Sequence, residues 1–201
     1  MALEKTNRLK ELLKQIVSQQ SDVATVESQL DGELGRDCAV MVSDFSSFLG
    51  LARDKGIVSA LSMVEKAHEI AAPILSALGG EVLRAEPDML VVVFPKTIDA
   101  VMAARAVSRT FETNNKEATE DKLAVCIGIG KGRMLVTDDQ VYGDQAMIAA
   151  RLGEAVEGEF EVRLTPEAHD DVQHLESISF SESDPVMIAG VSIAPYKLIF
   201  A

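Results

Sequence analysis

The chain has 201 residues, of which 47% are hydrophobic and 25% charged, with a formal net charge of −13. A chain of this size can bury a core without disulfide or metal staples, and its composition is that of a folded protein. The acidic balance excludes a generic phosphate-backbone binder, which needs a basic face. It still admits a nucleotide whose charge is met by a metal ion.

Cys38 and Cys126 lie in apolar runs and form no disulfide framework; they read as buried thiols of a reducing cytoplasm. The N-terminus, MALEKTNRLKELLKQ, lacks the apolar core and cleavage site of a signal peptide. No stretch reaches the ~20 apolar residues of a membrane span. The expectation is a soluble, cytoplasmic protein without membrane insertion and without a nucleic-acid partner.

In chain order, residues 3–30 carry Leu9, Leu12, Leu13, Ile16, Val23, Val26 and Leu30 at helical spacing, interrupted by Gln19, Gln20 and Ser21. One helix is predicted, packed on its own domain or pairing two chains as a short coiled coil. Residues 31–35 read as a linker, so 1–35 stand apart from a domain at 36–201. A strand is predicted at 38–44 and helices over 46–77, with Pro73 as a kink or the start of a new turn. Strands follow at 81–85 and 89–94, joined by a tight turn at Glu86-Pro87. Next come a helix at 97–113, a polar loop at 114–122, a buried strand at 123–130 and a turn-rich excursion to 144. Helices at 145–154 and 168–174 precede strand-like pieces near 160–164, 177–180 and 186–199. The order implies an α+β fold with a mixed, largely antiparallel sheet and helices on one face.

Two apolar runs deliver acids. In AVMVSDFSSFL the run ends at Asp44, and in EVLRAEPDMLVVVF Asp88 opens the second strand. Oxygen-only ligands without a His or Cys cluster suit Mg²⁺ or Mn²⁺, held by one or two carboxylates together with substrate phosphates. The competing reading makes Asp44 a helix N-cap before Ser46-Ser47 and Asp88 a turn acid. The histidines, His68, His169 and His174, show no ligand spacing.

Five segments in order resemble the catalytic domain of class III adenylate and guanylate cyclases: VSDFSSFL, GGEVLRAEPDMLVVVF, CIGIGKG, YGDQAMIAARL and AGVSIAPYKL. The resemblance runs from about Cys38 to Leu198. It implies a ferredoxin-like sheet with helices packed on it, and cyclisation of a nucleoside triphosphate, ATP by prior, with loss of pyrophosphate. It also implies a homodimer whose sites combine metal ligands of one chain with an Arg of the other. Carried over, Asp44 and Asp88 would hold Mg²⁺ or Mn²⁺ with help from the Phe45 carbonyl. Arg151 would stabilise phosphate charge, and Phe48 would face the substrate. Read without the resemblance, Arg151 is a helix-surface partner for Glu154.

The sequence departs from the family pattern in four places. Arg84 and Gln140 fall at the base-reading positions, with Asp138 or Asp139 as substitutes if the loop shifts. Met147 stands where an Asn would orient the ribose, and Met offers no useful hydrogen bond. The segment from Gly132 to Tyr142, which would form the arm reaching across a dimer, is short. An alternative reading is therefore a cyclase-like domain retained for nucleotide binding, regulation or dimerisation.

Overall fold

A computed structural model describes residues 3–45, 48–117, 122–154 and 159–200. Two helices, α1 (Glu4–Val17) and α2 (Val23–Leu34), lead directly into strand β1 (Gly35–Asp44). Then follow α3 (Phe48–Lys55), α4 (Ile57–Ala77), β2 (Glu81–Ala85), β3 (Met89–Phe94), α5 (Thr97–Glu117) and β4 (Cys126–Val136). The chain continues with β5 (Val141–Tyr142), α6 (Asp144–Glu154), β6 (Val162–Leu164) and α7 (Pro166–Val172). It closes with β7 (Ser179–Glu182), β8 (Val186–Ile188), β9 (Val191–Ile193) and β10 (Tyr196–Ile199).

The main sheet runs β2-β3-β1-β4-β6-β10-β7, with β5 folded back on β4 and a separate β8-β9 hairpin. Its first four strands, linked by α3–α4 on one crossover and α5 on the other, are the expected ferredoxin-like arrangement. β1 is the central strand, antiparallel to β3 on one side and β4 on the other. The β4–β6 pair is parallel.

Strand alternation assigns the two faces. Ala39 and Met41 of β1, Leu90, Val92 and Phe94 of β3, and Ile127 and Ile129 of β4 join the larger core beneath α4, α5 and α7. Cys38, Val40 and Val42, with Val91 and Val93, turn the other way and meet Ala146 and Ala149 of α6. Helices thus cover both faces, not the one expected. A long apolar strand buried on both sides needs a cover on each. Glycines in β4 let α6 approach. A Cβ at Gly130 would lie 2.5 Å from the carbonyl oxygen of Gln145, and one at Gly128 would overlap that of Ala149.

The N-terminal region also differs from expectation. The predicted single helix is an antiparallel pair, broken where Gln19 adopts a positive φ of 56° and Asp22 caps α2 by accepting from the Thr25 N–H at 2.9 Å. The predicted linker does not exist, because α2 runs on to Leu34 and β1 starts at Gly35. Leu9, Leu12, Val26, Leu30 and Leu34 form a small core of their own, with Ile16 and with Leu135 of β4 packed against it.

Elsewhere the helices predicted over 46–77 meet at Gly56, whose φ is 90°. Pro73 lies inside α4 at an exposed position. The strand predicted to end at 130 continues to Val136, so most of the turn-rich excursion is β structure. Residues 114–117 of the predicted loop belong to α5, and 118–121 lie outside the described residues, as do Ser46-Ser47.

Candidate active site

β1 ends at Asp44 because the ladder ends there. Asp44 pairs with Met89 across the β1–β3 boundary, and the Phe45 N–H donates to the Asp88 carbonyl at 2.8 Å. Asp44, at the end of β1, and Asp88, just before β3, therefore stand side by side at one end of two neighbouring strands. Asp44 is partly buried, whereas Asp88 is exposed. Asp44 shares the sheet face of Val40 and Val42, the face covered by α6.

The Asp44 carboxyl is pushed up to about 6, first by burial and then by the negative charges of Asp88 and Glu154. Sequence spacing marks Glu154, at the C-terminal end of α6, only as a partner for Arg151 and not as a neighbour of Asp44. Proximity across 110 positions leaves no local signal. A partly buried carboxylate facing two further acids fits a divalent cation with oxygen ligands, which would relieve the repulsion that raises it. Asp44 and Asp88 could hold it. Among the described residues no cluster of three or more acidic, His or Cys ligands is formed. Such an ion would depend on substrate oxygens or water for the rest of its shell.

The Phe45 ring is buried beside His68, with ring centroids 5.5 Å apart, and near Phe111. Its carbonyl accepts from the Phe48 N–H at 3.1 Å and keeps a second lone pair. Phe48 begins α3 and is half-buried.

A cleft of about 340 Å³ opens between the β2–β3 hairpin and α6; it reaches Val42 and Met89, and neither Asp44 nor Asp88 lines it. Val42, Met89 and Ala146 form its apolar side, and Arg84, Gln140 and Met147 also line it. The two positions singled out for base reading are brought together: Arg84 Nη1 donates to Gln140 Oε1 at 3.0 Å. Arg84 also approaches Met89 Sδ at 3.7 Å and Glu86 at 3.4 Å. Met147 is 55% exposed at the cleft rim. Asp138 and Asp139 do not reach this cleft; both turn to α1 instead.

Arg151 extends from the last turn of α6 and is exposed. Its Nη1 lies 2.7 Å from Glu154 Oε2, and both residues border a shallow groove against Met187–Ala189 of the β8–β9 hairpin. Gln145 fixes the start of α6 by accepting from the Thr165 hydroxyl at 2.7 Å in a buried contact.

The sequence matches no protein-family profile. It is 27% identical over 150 residues to a Rhizobium meliloti (strain 1021) protein named "Putative adenylate cyclase 3", covering 74% of this chain and 25% of that one. The chain thus spans about a quarter of the length of that relative. Among solved structures it superposes on the adenylate/guanylate cyclase/hydrolase from Silicibacter pomeroyi with a TM-score of 0.74 at 18% identity, covering 83% of this chain and 98% of that one. The guanylyl cyclase Cya2 gives 0.72 at 15% identity, with 82% and 92% covered. The adenylyl cyclase CyaB from P. aeruginosa gives 0.71 at 16% identity, with 83% and 95% covered.

Proposed function

From a chain with the fold of the class III adenylate/guanylate cyclase catalytic domain, we propose a nucleotide cyclase. It converts a nucleoside triphosphate to its 3′,5′-cyclic monophosphate and pyrophosphate. The observation that carries this reading is the placement of Asp44 and Asp88 at neighbouring ends of β1 and β3, with the Phe45 N–H bonded to the Asp88 carbonyl.

In this reading the attacking 3′-oxygen, the α-phosphate and the leaving pyrophosphate are held in line at the carboxylates. Mg²⁺ or Mn²⁺, when bound, supplies charge neutralisation of the phosphates and a more acidic 3′-hydroxyl. Asp44 and Asp88 position that charge. Arg151 releases Glu154 and places its guanidinium against the phosphate oxygens where negative charge accumulates. The chains work as a homodimer, one supplying the carboxylates and the other Arg151 and the base cleft. Burial of Phe45 against His68 and Phe111 anchors the residue that follows Asp44.

ATP is the substrate by prior, and one observation favours a second reading of the base. An Arg side chain has donors and no acceptor, so Gln140 must present Oε1 to it. The N–H groups of Gln140 and the remaining N–H groups of Arg84 are then the atoms the pair can offer. Donors complement the carbonyl of guanine or uracil better than the amino group of adenine or cytosine.

Purified protein incubated with each of the four ribonucleoside triphosphates and Mn²⁺ tests both readings, with product measured as cyclic monophosphate by mass spectrometry. Cyclic product from at least one nucleotide, absent in Asp44→Ala, is expected. Arg151→Ala should lower kcat on the order of 10²-fold. No product from any of the four, from a folded dimer, would sink the proposal.

A further inference from the structure

The hairpin turn that carries Gln140 is held from behind by the N-terminal helix. β4 and β5 pair through Leu135↔Tyr142 and Val136↔Val141, which leaves Thr137–Gln140 as the turn. The Thr137 N–H donates to the Gln140 carbonyl at 2.9 Å, and the Gln140 N–H donates to Thr137 Oγ1 at 3.1 Å. Thr137 is fully buried, and its hydroxyl also lies 3.2 Å from Asp139 Oδ1. That same carboxylate oxygen accepts from the Thr6 hydroxyl at 2.6 Å.

The neighbouring acid completes the grip. Leu3, at the N-cap of α1, offers no side-chain cap. Asp138 takes that place, accepting from the N–H groups of Lys5 at 2.7 Å and Thr6 at 3.2 Å. Three charge-assisted hydrogen bonds, two of them making up the cap, therefore tie the first turn of α1 to the turn that presents Gln140. Leu135, one strand residue away from the turn, packs into the core of the α1–α2 pair. A continuous chain of hydrogen bonds runs Thr6–Asp139–Thr137–Gln140–Arg84, from the start of the described chain to the wall of the cleft.

We propose that the α1–α2 pair is a positioning element for the nucleotide cleft: its first turn, clasped by Asp138 and Asp139, sets where Gln140 stands against Arg84. Movement of α1 relative to the sheet then changes nucleotide affinity without touching the carboxylate pair. Thr6 and Asp139 are positioning residues, because neither lines the cleft. The proposal rests on the reading above that this cleft receives the base.

The experiment measures binding of 3′-deoxy-ATP and 3′-deoxy-GTP, which lack the attacking hydroxyl, to the full chain with Mn²⁺ by calorimetry. Thr6→Val removes one hydrogen bond while keeping the shape of the side chain, and should weaken binding of the preferred probe about three- to tenfold. Thr6→Ser, which keeps the hydroxyl, should restore it. Gln140→Ala should weaken binding by itself and abolish the further effect of Thr6→Val in the double mutant.

Wild-type affinity in Thr6→Val, with Gln140→Ala impaired, would overturn the positioning role and leave the cleft reading standing. Additive losses in the double mutant would overturn it too, since they would show two independent effects. If Gln140→Ala binds both probes as the wild type does, the cleft reading fails and the positioning role falls with it. A melting temperature for Thr6→Val within a few degrees of the wild type separates these outcomes from misfolding.

Discussion

Replacing Asp44 by Asn should stabilise the metal-free protein. Its carboxyl sits near 6, against an ordinary value of 3.8, because burial and the charges of Asp88 and Glu154 disfavour the ionised form. For an acid raised in the folded state, the folded protein holds its proton more tightly than the unfolded one. Stability from this group is therefore present at low pH and is lost as pH rises from about 4 through about 6. At pH 8 the folded protein carries the full penalty. At 1.36 kcal/mol per pH unit the shift corresponds to about 3 kcal/mol, and partial exposure reduces this to about 1–2 kcal/mol. Asn keeps the shape and removes the charge. In EDTA at pH 8, Asp44→Asn should melt about 2–8 °C above the wild type, at roughly 2–4 °C per kcal/mol for a chain of this size. The gap should narrow to roughly a third at pH 4.5 and close only below about pH 3.8. Excess Mn²⁺ should raise the wild-type melting temperature and leave the variant unmoved. A variant less stable than the wild type at pH 8 in EDTA would refute the reasoning, because Asp44 would then be a net stabilising anion.

Other perturbations probe how the site is built. Gly128→Ala would drive a methyl group into the Ala149 carbonyl and against the Gly153 N–H, forcing α6 off the sheet. An overpacking cost of about 3 kcal/mol or more follows, read as a lower urea midpoint with an unchanged slope. Met147→Asn adds an amide at the cleft rim without touching the core. It should raise the cyclisation rate about tenfold by orienting the ribose, and an unchanged rate would place the ribose elsewhere.

The strand cores were legible because they are written as apolar runs. VVVF in β3 and CIGIG in β4 need no tertiary information to be recognised as buried strands. Asp44 and Asp88 were legible for the same reason, each standing where such a run begins or ends. The continuation of β4 through Lys131-Gly132-Arg133 was not. Its polar residues are matched by partners distant in sequence: Lys131 pairs with Asp37, and Arg133 with Asp31. The covering of both sheet faces was hidden because Gly128 and Gly130 read only as members of a buried strand, and nothing local shows that α6 packs against their backbone. The split of the N-terminal helix was present in the interruption at Gln19–Ser21, but the apolar stripe on either side outweighed it. The contact of Asp138 and Asp139 with α1 spans more than 130 positions, and no periodicity carries information over that range. Glu154 escaped for the same reason, since its influence on Asp44 exists only once α6 is docked.

The cap on α1 also sets an order of events during synthesis. The donors at Lys5 and Thr6 leave the ribosome 133 and 132 residues before Asp138 does. At roughly 5–20 residues per second the first helix waits on the order of 7–27 s for its cap. During that wait the apolar stripe of Leu9 and Leu12 has only α2 to lie against. The N-terminal pair is thus made first and seated late, once the β4–β5 hairpin has emerged to receive it.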